Sequence, residues 1–236
     1  MAKQGQKSKE QEIVSQDHYL YPTSIVHLFS PSRIDNWKSK KNYYTFKKGD
    51  FICTPGQRSD AVYFIVEGHA RIFHLHLEGK ECVLGILSEG DFIDLLQVFS
   101  DRESQLFAKA LTDVKVLSIP KSEVKNEVQQ NKELSMTLLY YFTNRLQETI
   151  EILEQVAYGK VEERLLFLLE KLANKSESDQ EWYPLPEFIT HKNLAGMIAS
   201  TRETVTFLLN KFIQINKVKQ EEQRLWLKND KKIGWM

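Results

Sequence analysis

The sequence predicts an α+β protein in three successive parts: an antiparallel roll of short strands, one long helix, and a C-terminal pair of short helices closed by a hairpin. Three observations carry this reading. Between Tyr43 and Ile119, short apolar runs are separated by glycine-bearing turns, the pattern of strands in a roll or barrel. From Asn131 to Tyr158 there is neither proline nor glycine, and apolar residues follow a heptad. From Thr190 to Phe212, two helical patterns meet at a tight turn.

Composition narrows the classes. The 236 residues suffice for two domains with their own cores. Lys plus Arg and Asp plus Glu are 32 each, so the formal net charge is zero; any nucleic-acid surface must then be a local basic patch rather than a property of the whole chain. No apolar run approaches the roughly 20 residues of a membrane span, and the polar N-terminus has no signal-peptide core. A cytoplasmic protein with no membrane partner is expected. Two cysteines, Cys53 and Cys82, do not make a disulfide scaffold.

Taken in order, residues 1–17 read as a loose polar tail and 18–130 as the roll. Residues 131–158 read as the long helix and 159–236 as the C-terminal domain. A short helix is expected over 31–38. Strands are expected at Tyr43–Phe46, Phe51–Cys53, Val62–Val66, Ala70–Leu77, Cys82–Leu87, Phe92–Ile93, Leu106–Ala108 and Val114–Ile119. Gly68, Gly79 and Gly90 recur every 11 residues, which suits stacked hairpins. Residues 121–131 read as a short helix leading into the long one.

In the long helix, Met136, Thr143, Ile150 and Ala157 share one heptad position, and Leu139, Leu146 and Leu153 the other. This is a coiled-coil seam over about three heptads. The competing reading is a helix buried once against its own domain. The seam is narrow and regular, and Thr143 is a polar residue of the kind that sets register, so a homodimer is expected. Gly159 and Lys160 interrupt the seam as a hinge, and a helix follows over 161–172. Short extended segments are expected at Trp182–Leu185 and Phe188–Ile189.

Beyond these, Leu194, Met197 and Ile198 give a first short helix its apolar face, and small Ala195 lets a second helix cross closely. Ser200 or Thr201 restarts the chain as an N-cap, and Ser200 with Glu203 matches a capping box. The second helix buries Val205, Leu208, Leu209 and Phe212. Its other face carries Arg202, Glu203, Thr206 and Phe207. A first-turn arginine and glutamate suit base-edge reading in a major groove: the guanidinium fork holds guanine O6 and N7, and a carboxylate accepts from cytosine N4. Helix pairs with a cap between them also occur in many other helical proteins, and Glu203 would then serve only as a capping partner. Residues 217–228 form a hairpin directly behind, which makes it a wing.

A glycine-punctuated roll, a long helix and a winged helix-turn-helix, in that order over residues 40–228, resemble the cyclic-AMP receptor protein/FNR (CRP/FNR) family of bacterial transcription factors. The most specific matches are Tyr63–Gly68 and Gly90–Ile93 in the roll and Thr201–Val205 in the second helix. The resemblance implies a cyclic-nucleotide-binding-like β-roll and a homodimer on a roughly palindromic double-stranded DNA operator. It makes Arg202 and Glu203 base readers, and adds Thr206 and Phe207 from the same face. Thr190, Thr201 and Thr204, with Ser200 and Lys211, become phosphate contacts, which position without reading sequence. The family has a second base-reading arginine where Phe207 stands. A phenyl ring there packs on a thymine methyl or folds back into the helix core. The family's turn glycine is Ala199 here, a change that negative φ would tolerate. An activator would also touch RNA polymerase, and no residue pattern marks such a surface.

The effector positions depart from the family. Where cyclic-nucleotide-binding members hold ribose and phosphate, this chain has Asp94 and Leu95, then Ser104 and Gln105, with Arg102 displaced. A buried phosphate there would lack its cation, so no cyclic nucleotide is expected. Two cysteines are too few for a four-cysteine iron–sulfur cluster within one subunit. Asp94, Leu95 and Leu96 stand where the haem branch has its Cys or His. No cofactor and no enzymatic activity are expected, and the effector is an unidentified small molecule or none. A Cys53–Cys82 disulfide is a candidate redox switch, and His74 and His76 with Cys82 a candidate metal site. The bland readings are small core cysteines and solvated histidines. The competing class is a cupin-like β-roll that binds a small molecule or metal, with the C-terminal domain serving protein contacts.

Overall fold

The computed structural model describes residues 29–229, apart from 57–58, 78, 80, 101 and 176–180; the tail expected over 1–17 lies outside the described residues. Its elements run in the expected order. Helix α1 (Pro31–Ser39) precedes strands β1 (Tyr43–Phe46), β2 (Phe51–Cys53), β3 (Ala61–Glu67), β4 (Ala70–Leu75), β5 (Glu81–Leu87), β6 (Phe92–Ile93), β7 (Phe107–Ala110) and β8 (Val114–Pro120). Helices α2 (Lys121–Gln130), α3 (Lys132–Tyr158) and α4 (Val161–Leu172) follow, then β9 (Trp182–Pro184), α5 (His191–Met197), α6 (Arg202–Gln214), β10 (Val218–Glu221) and β11 (Arg224–Lys228).

Two four-stranded antiparallel sheets make the roll, in the orders β1-β8-β3-β6 and β2-β7-β4-β5. Strands β3 and β8 are buried on both faces, which is why their sequences read as apolar runs rather than alternations. Val62 and Phe64 of β3, with Leu117 and Ile119 of β8, face Trp37, Val124 and Val128 of α1 and α2. Ile65, Val114 and Val116 face the other sheet, against Ile52, Ile72, Leu87 and Ala108. The parity of the strands assigns each residue to its side.

Helix α1 starts where Ser30 accepts from the Arg33 amide and Pro31 occupies the first turn. Trp37 is fully buried and donates its indole N–H to Glu123 at 3.1 Å. Gly68, in the β3–β4 turn, has φ +88°, and a Cβ there would lie 2.1 Å from the Asp113 carbonyl oxygen; the turn admits only glycine. One element was not expected: a short 3-10 helix at Leu95–Val98, preceded by Asp94 in the left-handed region. It buries Leu95 and Val98 against α2 and β3.

Helix α3 is capped by Asn131, whose side chain accepts from the Leu134 amide at 3.1 Å. Its 27 residues bury only Leu134 and Leu138. Gly159 ends it with extended backbone, close enough to the Gln155 carbonyl that a Cβ would meet it at 2.7 Å. The C-terminal domain packs Leu165, Leu169 and Leu172 of α4 against Leu194, Val205, Leu209 and Phe212, under a sheet in the order β10-β11-β9. The segment expected to be extended at Phe188–Ile189 is a turn instead, closed by the Ile189 amide on the Pro186 carbonyl at 3.2 Å. Among the described residues no helix is long and apolar enough to cross a membrane.

The Gly90–Asp91 turn is stitched to β3 by two backbone hydrogen bonds at 2.9 Å, and Asp91 accepts from the Ser88 amide at 2.8 Å. Burial pushes the Asp91 carboxyl up to about 6, against the Ser88 hydrogen bond and the nearby charge of Arg145. Because the folded group binds its proton more tightly than the unfolded one, its stabilisation is complete below the ordinary aspartate range and is lost as pH rises through about 6. Asp91→Asn keeps an acceptor for Ser88 and removes the titration. Urea unfolding at pH 7.5 and 5 should show the wild type gaining stability relative to the variant at the lower pH; parallel changes in the two would contradict this assignment.

Candidate nucleic-acid interface

The two-helix motif is assembled by hydroxyl caps. Thr190 caps α5 in a reciprocal box with Asn193: its hydroxyl lies 2.5 Å from the Asn193 side-chain oxygen, and it accepts from the Asn193 amide at 3.2 Å. Thr201, not Ser200, caps α6, accepting from the Thr204 amide at 3.2 Å. The capping box expected at Ser200 and Glu203 is therefore not formed. Thr201 wins because its extended backbone (φ −95°, ψ 155°) places the oxygen over the first turn. Ser200 is spent otherwise, its amide closing on the Ala195 carbonyl at 3.0 Å.

That Ser200 bond wraps the end of α5 in a Schellman turn, with Ala199 at the left-handed position, φ +51°. Ala199 does not keep the negative φ that would have made it an easy replacement for glycine. The end of α6 makes the same turn with Asn216 at φ +58°, the Lys217 amide reaching the Phe212 carbonyl at 2.9 Å. Asparagine tolerates this region and alanine does not.

Between the caps, Val205, Leu208, Leu209 and Phe212 are buried as the pattern requires. Arg202 and Glu203 are exposed, and Phe207 is 69% exposed, so the alternative in which its ring returns to the core is not adopted. Thr206 is half-buried: its hydroxyl donates to the Arg202 carbonyl at 2.9 Å and lies 2.8 Å from His191 Nδ1. With that proton spent, His191 has to donate from Nδ1. Burial, then the charge of Arg202, holds the imidazole below its ordinary pKa. The Thr206 hydroxyl thus forms a strut between the two helices. The sequence reading missed His191; the signal was a histidine in the first turn of one helix facing a threonine one turn into the next.

The phosphate candidates are also engaged. Thr201 and Thr204 share a hydrogen bond of 2.9 Å between their hydroxyls. Lys211 pairs with Glu162 of α4 at 2.6 Å. The C-terminal domain meets the roll through α5. Gly196 lies against Val83 of β5 so closely that a Cβ would be 2.8 Å from its methyl, and Lys192 reaches Glu81 at 3.4 Å. Glu81 also accepts from the buried Arg71 at 2.5 Å. Burial alone would raise the Glu81 carboxyl, and the two cations outweigh it and lower the pKa.

The seam residues Met136, Leu139, Thr143, Leu146, Ile150, Leu153 and Ala157 all lie on α3 outside the core of the single chain, Leu146 at 62% exposure. Thr143 donates to the Leu139 carbonyl at 2.8 Å, within its own helix.

At the other end, the redox candidates do not meet. Cys53 and Cys82 lie in β2 and β5, opposite edges of one sheet, about 14 Å apart at three strand spacings, and a disulfide needs Cα atoms within about 7 Å. Both thiols are free. Burial, with the charge of Asp94, pushes the Cys53 thiol up to about 11, so it is protonated and a poor nucleophile at neutral pH. Cys82 faces His74 across the β4–β5 pair, but His76 falls beyond the end of β4. Among the described residues no group of three or more His, Cys, Asp or Glu gathers to hold a metal. Beside Cys53 opens a cleft of about 260 Å3 lined by Tyr63, Asp94, Arg102, Ser104 and Lys121. Burial raises the Asp94 carboxyl there, against a hydrogen bond from Ser104 and the charges of Lys121 and His74.

A strand roll joined through a long helix to a winged helix-turn-helix is the architecture of a transcriptional regulator with its own effector-type domain. Residues 44–131 match the model of the cyclic nucleotide-binding domain, and the global nitrogen regulator of a Nostoc species is 30% identical over 183 residues, 74% of this chain and 82% of that protein. The chain belongs to the CRP/FNR family of transcriptional regulators. The cAMP-activated global transcriptional regulator CRP of Escherichia coli O157:H7 is 28% identical over 155 residues, covering 65% of this chain and 74% of that one. A CRP/FNR-family transcriptional regulator from Thermus thermophilus superposes with a TM-score of 0.60 at 26% identity, over 78% of this chain and 92% of that structure. The c-di-GMP-responsive global regulator CLP of Xanthomonas campestris shares the fold, with a TM-score of 0.70 at 17% identity, over 85% of this chain and all of that one.

The strain at Ala199 is testable. A left-handed L-residue costs about 1–2 kcal/mol, and glycine returns part of that gain as chain entropy. Ala199→Gly should raise stability by about 1 kcal/mol in urea unfolding; a less stable variant would show that the turn does not hold this conformation.

Proposed function

We propose that this chain is a cytoplasmic, non-enzymatic, homodimeric regulator that binds a roughly two-fold DNA operator, with Arg202 and Glu203 reading base edges in each half-site. The observation that carries the reading is the exposed face of α6. An arginine fork and a carboxylate stand side by side in its first turn, on a helix whose other face is fully committed to the core. Such a helix enters a major groove N-terminus first. The dimer reading is supported by α3, where Leu139, Leu146 and Leu153 recur at heptad spacing and remain exposed in the single chain. A second α3 laid along the seam removes that apolar surface from water. Residues 18–130 act as the sensor domain, 131–158 as the dimer helix and 159–236 as the DNA-binding domain.

The regulator does not respond to cyclic AMP and carries neither haem nor an iron–sulfur cluster. The support is chemical: Leu95 stands where the family's nucleotide-binding members carry the carboxylate that holds ribose, and Ser104 where they carry the arginine that holds phosphate. If the protein activates transcription, RNA polymerase is its further partner.

Two variants separate the parts of this reading. On an operator recovered by selection from random DNA, Arg202→Ala should cost about 1–3 kcal/mol per half-site, with an unchanged melting temperature because the side chain is exposed. Anisotropy titration showing wild-type affinity would remove Arg202 from the readout. Leu146→Asp puts two carboxylates into the seam and should give a monomer by sedimentation with weakened operator binding. A variant that still sediments as a dimer would refute the seam.

A further inference from the structure

Resting on the DNA-binding reading above, we propose that Phe207 is a detector of the pyrimidine C5-methyl group, so that each half-site carries a methyl within about two base pairs of the position read by Glu203. Phe207 is one helical turn beyond Glu203 on the same exposed face and is 69% exposed. A turn advances about 5.4 Å and a base step about 3.4 Å, which sets the reach. The phenyl ring has neither donor nor acceptor. Pressed against the edge of guanine, adenine or cytosine, it would strip water from groups it cannot satisfy, and that is unfavourable. Only thymine offers an apolar group in the major groove, its C5-methyl.

The surroundings hold the ring in that role. Thr206, its neighbour, is fastened to the Arg202 carbonyl and to His191, so the turn that carries Phe207 is braced against α5. Val205, Leu208, Leu209 and Phe212 occupy the core side of α6. Phe207 therefore stays outside, where a large apolar side chain contributes nothing to the fold and loses free energy to water until something covers it.

What is detected is the methyl, not the base pair, and two chemical replacements separate these. Uracil for thymine removes the methyl and leaves pairing and every hydrogen-bonding edge intact. 5-Methylcytosine for cytosine adds the same methyl to a G·C pair. With about 0.8 kcal/mol per buried methyl-sized group, the uracil operator should bind the full-length protein about 4-fold more weakly per half-site, and about 15-fold with both half-sites replaced. Where the selected site tolerates cytosine at that position, 5-methylcytosine should restore a similar factor. Phe207→Ala, which touches only an exposed side chain, should weaken binding to the thymine operator by at least the uracil factor and make the protein indifferent to both replacements. Wild-type protein that binds thymine and uracil operators equally overturns the inference, as does a Phe207→Ala variant that still distinguishes them. Either result leaves Arg202 and Glu203 as readers. A selection that recovers no site overturns the DNA-binding reading and this inference together.

Discussion

The presentation of the recognition helix depends on one contact, the seating of α5 on strand β5. Gly196 brings backbone against Val83, where a single methyl group more would collide. Glu81, next but one in the same strand, holds Lys192 of α5 from one side and the buried Arg71 from the other. A carboxylate shared between two cations at a partly buried site is well compensated; a shift of α5 would leave Arg71 and Glu81 paired but strand Lys192. Helix α6 is then fixed to α5 by the His191–Thr206 bond and by the shared core. The direction in which Arg202, Glu203 and Phe207 point is thus set by the roll, through a chain of two contacts, before any DNA is present.

How much of this could be read from the chain varies with the kind of force involved. Strands bounded by glycine turns were legible because backbone sterics act locally, and the 3.6-residue period marked α4 and α6 to within a residue or two. The roll's two-sided burial was legible as apolar runs in β3 and β8. What was missed was decided by the path of a turn or by partners elsewhere in the chain. The cap could fall on Ser200 or Thr201 by composition alone, and only the path of the turn decided it. Phe188 looked like strand because it is aromatic, but it serves as a plug against His69, with ring centroids 4.2 Å apart. Cys53 and Cys82 looked like a pair because they were the only two, and sheet order put them on opposite edges.

Ala199 shows how a local rule can be overridden. By propensity the position calls for glycine, and the same turn after α6 uses asparagine. The chain accepts the cost because the Ser200 amide must reach the Ala195 carbonyl if α6 is to start at Thr201. Starting one residue earlier would rotate the apolar face of α6 by about 100° and expose Leu208 and Phe212. Several side chains' worth of burial, at about 1.5–3 kcal/mol each, outweigh one strained residue at about 1–2 kcal/mol.

Two cap hydroxyls and two lysines of the motif have partners in the free protein, and this bears on how it would discriminate among DNA sequences. Thr190 and Thr201 are caps, Lys192 is tied to Glu81 and Lys211 to Glu162. Non-specific affinity comes almost wholly from cations that release counterions from phosphates. In a chain of zero net charge, Lys192 and Lys211 already have carboxylate partners, so a phosphate contact by either must first displace an intramolecular one. Backbone amides at the start of α6, with the positive end of its dipole, offer phosphate ligands without such a cost. Sequence-dependent contacts from Arg202, Glu203 and Phe207 would then make up a larger share of the total binding free energy. Discrimination improves when the sequence-independent part is small, because the genome competes for the protein chiefly through that part.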